Sequence, residues 1–223
     1  MEWKDEAYLL SKTNYSENSI IIDAFTLNHG KYTGIVYGGS SRKNKKNFQI
    51  GNKININWKS KGENNFGYFN VELIKAVAPL YFDNKRKTIC ILAAISILKV
   101  LLPERQINKN IYLSFENLIN NFKQDNWIEL YILWELSLIK ELGYEVNYIE
   151  LINSKKSSNN TIKLNNISVK VPKILLNYNI KNNSNIDIKE ALLFNNNLLM
   201  ENFITPSRLK MPLSRRILEK YYS

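Results

Sequence analysis

The stretch Lys53-Ile54-Asn55-Ile56-Asn57-Trp58-Lys59 alternates strictly between polar and apolar side chains. Because successive residues of a β-strand point to opposite faces of a sheet, Ile54, Ile56 and Trp58 share one face. The opposite face carries only Lys and Asn. This pattern predicts a strand with one face in a hydrophobic core and the other in water.

Four further runs before residue 80 are short, rich in Ile, Val, Tyr, Phe and Thr, and bounded by turn residues. These runs are Ala7–Ser11, Ser19–Thr26, Lys31–Tyr37 and Phe66–Leu73. Asn28-His29-Gly30 is a tight-turn signal, and Gly38-Gly39-Ser40-Ser41 opens a loop. Five such strands are typical of the OB-fold, a partly open Greek-key barrel that commonly binds single strands or oligosaccharides.

After Pro79 the apolar period changes from two residues to about 3.6. This period predicts helices over Asp83–Leu102, Asn110–Lys123 and Asn126–Leu142. The first is apolar nearly all round, as expected of a central helix, and Pro103 ends it. We expect these helices to form a bundle.

The later part of the chain is more polar. Thr161–Val171 alternates weakly, like a hairpin strand, within an Asn-rich region. Asp187 with Glu190 predicts the start of a helix that runs to about Asn202. A last helix is expected to open at Pro212-Leu213-Ser214.

The predicted fold class is α+β with two domains. Residues 1–80 form a five-stranded OB-fold β-barrel, and residues 81–223 form a mainly α-helical domain. Within the second domain, residues 146–185 form a polar insertion with a small β-hairpin. The apolar stretch Ile89–Leu102 is shorter than the roughly 20 residues that span a bilayer, so a buried helix is expected there.

The composition favours a polyanionic partner, because 31 Lys and Arg against 20 Asp and Glu give a net charge of +11. Nucleic acid and an anionic membrane both fit this balance. AT-rich codon usage would also produce a chain crowded with Asn, Ile and Lys. The position of the charge is therefore more informative than its total.

Residues 24–62 contain no acidic residue but eight cations and several aromatic side chains. Cations that neutralise phosphates and rings that stack on bases are what single-strand binding requires. The candidate nucleic-acid-binding residues are Lys31, Tyr37, Arg42, Lys43, Lys45, Lys46, Lys59 and Lys61. The alternative is that Lys-rich loops are ordinary solvated surface. Phe48 and Trp58 are expected in the barrel core rather than as stacking surfaces.

A second basic cluster lies near the C-terminus and consists of Arg208, Lys210, Arg215 and Arg216, followed by Lys220. Only Glu219 opposes it. Cations near a helix end also complement the helix dipole, so a structural role is the alternative to binding.

Residues for catalysis are scarce. His29 is the only histidine and is expected in a turn, which excludes a multi-histidine metal site. Cys90 is expected to be a buried apolar residue, and no internal disulfide is possible. Glu129 and Glu135 are expected at the solvated edge of a helix. We therefore predict no catalytic residues, metal or cofactor, and no enzymatic activity. A cytoplasmic location is expected, because residues 1–6 lack the features of a signal peptide.

Seven stretches that are weak signals singly occur in a specific order. They are Met1–Leu10 (MEWKDEAYLL), Ser16–Ile21 (SENSII), His29–Lys31 (HGK), Gly34–Gly39 (GIVYGG), Leu102–Arg105 (LPER), Trp134–Tyr144 (WELSLIKELGY) and Pro212–Arg216 (PLSRR). Together they resemble the bacterial RecO family of recombination mediators over most of the chain.

The resemblance implies an OB-fold domain followed by a helical domain that act in DNA repair, at the nucleoid. Such proteins bind single- and double-stranded DNA, anneal complementary strands, and work with RecR to load RecA. They also bind the acidic, apolar C-terminal tail of single-strand-binding protein. Many members carry a four-cysteine zinc module, whereas residues 146–185 contain no Cys or His. The resemblance therefore implies a variant without that zinc site.

Two other functions remain open at this point. The basic surfaces could serve a non-catalytic adaptor that binds acidic protein tails, or the barrel could bind RNA. Neither alternative requires a cofactor.

Overall fold

The computed structural model describes residues 1–41, 44, 46–62, 66–77, 81–144, 161–164, 167–177 and 183–222. The chain divides into two compact units, Met1–Leu113 and Ser114–Ser223. Within the described ranges, no helix is long and apolar enough to cross a membrane.

The first unit contains a closed five-stranded barrel. Its strands are β1 (Glu2–Ser16), β2 (Ser19–Thr26), β3 (Gly30–Tyr37), β4 (Lys53–Lys59) and β5 (Gly67–Lys75). The order around the barrel is β1-β2-β3-β5-β4, and β4 pairs with β1 to close it. β3 and β5 are parallel, and the other pairs are antiparallel. The predicted five-stranded, OB-like barrel is confirmed.

The alternating stretch on β4 supplies the barrel core as predicted. Ile54, Ile56 and Trp58 are at most 2% exposed, and Phe48 joins the same cluster. Gly67 is required beside Trp58, because a Cβ atom at this position would lie 2.2 Å from the indole Nε1. Burial of such large side chains contributes about 1.5–3 kcal/mol each and stabilises the closed barrel.

The first unit also includes a helix, α1 (Lys85–Leu101), which contacts β1. Its N-cap is Asn84, whose side chain accepts a hydrogen bond from the Lys87 amide. Cys90 is fully buried in α1, as expected. α1 lies in the same compact unit as the barrel, and the expected bundle of α1 with the next two helices stays a prediction. The domain boundary at residue 80 stays a prediction.

A carboxylate joins α1 to the barrel. Asp23 on β2 accepts hydrogen bonds from Ser11 (2.5 Å) and Thr33 (2.6 Å), and Lys99 of α1 lies 3.2 Å from it. Burial raises the pKa of Asp23, but these donors outweigh burial, so that its pKa lies below the ordinary value. Asp23 therefore stays charged at neutral pH and forms an ion pair with Lys99 of α1.

The second unit is mainly helical. α2 (Lys109–Asn121) begins in the first unit and continues into the second. The elements that follow are α3 (Trp127–Glu141), β6 (Thr161–Leu164), β7 (Ile167–Lys170), α4 (Lys173–Asn177), α5 (Asn185–Leu199), a π-helical turn (Met200–Ile204) and α6 (Leu213–Lys220). β6 and β7 pair as an antiparallel hairpin, which confirms the prediction for this region.

α5 starts with a capping box that sequence reasoning placed three residues too late. Ser184 is the N-cap: its hydroxyl accepts from the Asp187 amide at 3.2 Å, and Asp187 accepts from the Ser184 amide at 3.1 Å. The Ser184 hydroxyl also donates to Asp187 Oδ2 at 2.6 Å, and this bond, followed by that from the Ser184 amide, lowers the pKa of Asp187. Asp187 therefore lies in the first turn of α5, not before it.

Candidate nucleic-acid interface

The loop between β3 and β4 begins with tight turns. Gly38 has a φ of +72°, and its carbonyl accepts hydrogen bonds from the Ser41 amide at 3.3 Å and from the Asn44 side chain at 3.1 Å. The Asn44 carbonyl accepts a further bond from the Asn47 amide at 2.8 Å. These bonds hold the start of the loop at the end of β3.

The other end of the loop is anchored to the barrel. Asn52 is fully buried, and its side chain donates to the Asn47 carbonyl at 3.1 Å and accepts from the Val77 amide at 3.0 Å. Phe48 inserts into the core with 3% exposure. The described residues at both ends of the loop are thus fixed to the barrel, which lowers the entropic cost of binding through Lys46.

The four cations predicted in this loop can be placed only in part. Lys46 is exposed. Arg42, Lys43 and Lys45 lie outside the described residues. Their role in binding stays a prediction.

Three other cations of the acid-free stretch are paired with carboxylates from distant parts of the sequence. The Nζ–Oε distances are 3.3 Å for Lys31 with Glu104, 2.6 Å for Lys53 with Glu6 and 2.9 Å for Lys59 with Glu2. Glu2 accepts a hydrogen bond from Lys59, which raises the pKa of Lys59 and lowers that of Glu2. Lys31 and Lys59 therefore offer less net charge to a ligand than the local sequence indicated.

Two of the candidate residues outside the loop have exposed side chains. Lys61 is exposed. Tyr37 is 67% exposed, and its ring centroid lies 6.0 Å from that of Tyr68. Tyr37 thus offers ring surface, whereas Phe48 and Trp58 are core residues, as predicted.

Sequence reasoning missed Lys12, which is exposed on β1 near this loop. Lys12, Asn14 and Ser40 border a pocket of about 320 Å³ that also includes Ile20 and Phe48. Lys12 lies outside the acid-free stretch, so charge counting along the chain could not connect it to the loop. The pairing of β1 with β2 places it there.

The C-terminal basic cluster needs one correction. Arg215 is fully buried rather than available at the surface. Its Nε donates to Glu135 Oε1 at 2.7 Å, and its Nη2 donates to Glu135 Oε2 at 3.1 Å and to the Leu192 carbonyl at 2.8 Å. Burial disfavours the charged guanidinium, but Glu135 outweighs it and keeps the pKa of Arg215 above its ordinary value. Arg215 is a structural cation that joins α6 to α3 and α5.

The two acidic residues expected at a solvated helix edge are both buried. Glu135 is 0% exposed and also accepts from Tyr131 at 2.8 Å and from Asn195 at 3.1 Å. Glu129 is 6% exposed and accepts from Asn183 at 3.2 Å. The expectation is wrong because α3 is covered on this side by the buried arginine and the C-terminal helices.

The remaining cations of the cluster border a groove. Lys210 and Arg216 are exposed and, with Lys220, line a groove of about 560 Å³. The apolar lining comes from Met200, Ile204, Leu209 and Met211. Arg208 is exposed on the turn before it, with a left-handed φ of 54°. Glu219 also lines the groove, which therefore combines apolar surface with a net positive charge.

Comparison with known proteins gives consistent matches. The family model described as "Recombination protein O N terminal" matches residues 1–77, and that described as "Recombination protein O C terminal" matches residues 84–193. Proteins named "DNA repair protein RecO" from Roseobacter denitrificans and Ehrlichia chaffeensis are similar, with 32% identity over 145 residues and 36% over 146. A Wolbachia protein of that name is 33% identical over 149 residues.

These matches cover part of each relative. The matched region is 65–66% of this chain and 59–61% of the three relatives' lengths. The chain therefore spans about three-fifths of the length of the curated relatives it matches.

Proposed function

Since the chain belongs to the RecO family of DNA repair proteins, we propose that it is a non-catalytic mediator of recombination that binds single- and double-stranded DNA. It anneals complementary strands and, together with RecR, assists the loading of RecA on DNA. The observation that carries the proposal is the anchored loop between β3 and β4, which adds four cations to a closed OB-like barrel.

The loop would act by neutralising phosphates. Two complementary strands repel each other through their backbones, and cations held between them offset this repulsion. Backbone contacts leave the base edges free to pair, so no sequence preference is expected. Lys12, which is exposed and borders the same pocket as Ser40 and Phe48, would extend the loop's positive surface.

The salt dependence of binding tests this mechanism. If about five phosphates of a single strand are neutralised, the slope of log affinity against log salt is expected near −3.5. Fluorescence anisotropy of a labelled oligonucleotide, titrated at several salt concentrations, measures it. An affinity that does not change with salt would contradict the mechanism. Competition between DNA and RNA of the same sequence separates it from the RNA-binding alternative.

The groove on the second unit favours a second contact, to a protein. An acidic peptide with apolar residues, such as the tail of a single-strand-binding protein, complements Lys210 and Arg216 through its charge and Leu209 through its apolar side chains. A protein that acts only as an adaptor would bind its partner in this groove alone. A DNA mediator would bind DNA at the β3–β4 loop and the acidic peptide in the groove.

Charge reversal in the groove tests this contact. Lys210→Glu with Arg216→Glu is expected to weaken binding of an acidic peptide by at least tenfold, because like charges then face the ligand. Lys123→Glu, which changes an exposed residue outside the groove, serves as the control. Isothermal titration calorimetry with the peptide gives the affinity. Equal affinities for all three proteins would place the peptide elsewhere.

A further inference from the structure

Three aromatic rings form a column in the first unit. The ring of His29 is stacked on Trp3 with a centroid distance of 3.9 Å and an interplanar angle of 6°. Trp3 is in turn stacked on Trp58, at 5.5 Å and 19°. The column starts in the barrel core at Trp58 and ends at His29, in the turn between β2 and β3.

The last ring of the column is fixed in position. His29 Nδ1 lies 2.8 Å from Oδ2 of Asp5, whose side chain is only 2% exposed. The same carboxylate accepts hydrogen bonds from the Asn28 amide at 2.7 Å and from the Asn28 side chain at 3.0 Å. This support holds the imidazole plane parallel to Trp3 before any ligand arrives.

Part of the His29 ring stays accessible. Its side chain is 31% exposed, although one face is covered by Trp3 and Nδ1 is engaged by Asp5. The contacts with Trp3 and Asp5 leave the opposite face and the remaining ring edge to account for this exposure. A planar ring in this position would continue the column.

A cation lies beside the column. Tyr32 contacts Trp3 edge-on, at 5.0 Å between centroids, and the Arg105 guanidinium lies 5.4 Å from the centre of the Tyr32 ring. Arg105 is exposed and has a left-handed φ of 59°, which is strained for a residue with a side chain. The site thus combines a fixed ring face with a positive charge.

We propose that the open face of His29 is a stacking site for one unpaired nucleobase of single-stranded DNA, with Arg105 near the adjoining phosphate. The inference rests on the proposed DNA-binding function and deepens it. Aromatic rings accept bases of any sequence, because every base has a π-face. A ring that is already ordered loses little conformational entropy when the base binds.

This site is separate from the β3–β4 loop. His29 precedes β3 and Gly38 follows it, so the two sites lie at opposite ends of this strand. β3 itself, from Gly30 to Tyr37, is roughly 23 Å long. The barrel therefore offers one end for phosphates and the other for a base, so that two segments of DNA can be held at once.

Photocrosslinking with the full chain locates the base. An oligo(dT) containing 5-iodo-deoxyuridine is bound at low salt and irradiated, and crosslinked peptides are identified by mass spectrometry. A crosslink at His29, Trp3 or Tyr32 is expected. If the oligonucleotide binds but crosslinks only elsewhere, the stacking site is overturned while DNA binding stands. If the oligonucleotide does not bind at all, both proposals fail.

Affinity for an abasic oligonucleotide gives an independent measurement. In His29→Ala, the ratio of affinities for oligo(dT) and its abasic analogue is expected to fall about fivefold, because one stacking contact is lost. This value is at the lower end for loss of one stack, because a base can then contact the Trp3 ring that His29 had covered. His29→Phe keeps a ring face and retains the ratio, and Phe82→Ala, which removes an exposed ring elsewhere, leaves it unchanged. The ratio should not vary with salt, since a stack neutralises no phosphate. An unchanged ratio in His29→Ala, or an equal fall in Phe82→Ala, overturns the proposal.

Discussion

Replacement of Arg215 by Ala is expected to lower the free energy of unfolding of the second unit by about 3–5 kcal/mol. The change removes both hydrogen bonds from Arg215 to Glu135 and leaves that carboxylate buried, with Tyr131 and Asn195 as neutral donors. An uncompensated buried charge costs far more than a lost surface ion pair. Urea unfolding followed by circular dichroism gives the change.

The adjoining arginine provides a matched control. Arg216→Ala removes the same charge from the next position of α6, but its side chain is exposed, so stability is expected to change by less than about 0.5 kcal/mol. The double variant Arg215→Met with Glu135→Leu removes both charges and should recover part of the loss. If Arg215→Ala is as stable as Arg216→Ala, the ion pair does not hold α6 in place.

Replacement of Arg42, Lys43, Lys45 and Lys46 by Glu is expected to cause the largest loss of DNA affinity. If four of about five phosphate contacts are lost, the salt slope falls from near −3.5 to about −0.7. If both proteins bind equally at 1 M salt, this difference in slope makes the variant bind roughly 600-fold more weakly at 0.1 M salt. Strand annealing should fall in parallel, as measured with a pair of labelled complementary oligonucleotides.

The control for this variant is a protein with the same change in net charge. Four cations that are exposed outside the loop are reversed in it: Lys4, Lys85, Lys109 and Lys123. We expect this control to lose much less affinity, and both variants to keep the thermal stability of the parent, because surface substitutions change it little. Equal losses in the two variants would mean that total charge, rather than the loop, determines binding.

The barrel could be predicted because its signal is local. The alternation with a period of two places Ile54, Ile56 and Trp58 on one face of β4, and this face is buried whichever strands pair with β4. The start of α5 was predicted only three residues too late. The sequence pointed to Asp187, the acidic residue of the capping box, but Ser184 before it was one polar residue among many.

The ion pairs could not be predicted because their partners are distant in the sequence. Glu135 and Arg215 are 80 residues apart, and each sits on a helix whose polar positions look solvated. The stretch without acidic residues in the sequence is not free of acidic neighbours in the fold, because β1 brings Glu2 to Lys59 and Glu6 to Lys53. The aromatic column could not be predicted for the same reason. The sequence indicates only that His29 lies in a turn, and its stacking on Trp3 depends on the fold.

The pairing of β1 with β4, which closes the barrel, cannot form early during synthesis on the ribosome. β1 is made first, yet the backbone of Glu2–Tyr8 can pair with β4 only after residues 53–59 have been added. Until then β1 has an open edge, which other nascent chains could join, and charged side chains such as Glu2, Lys4 and Glu6 on that edge oppose such association. The acidic residues that reduce the positive surface of the finished protein thus protect it while it is being made.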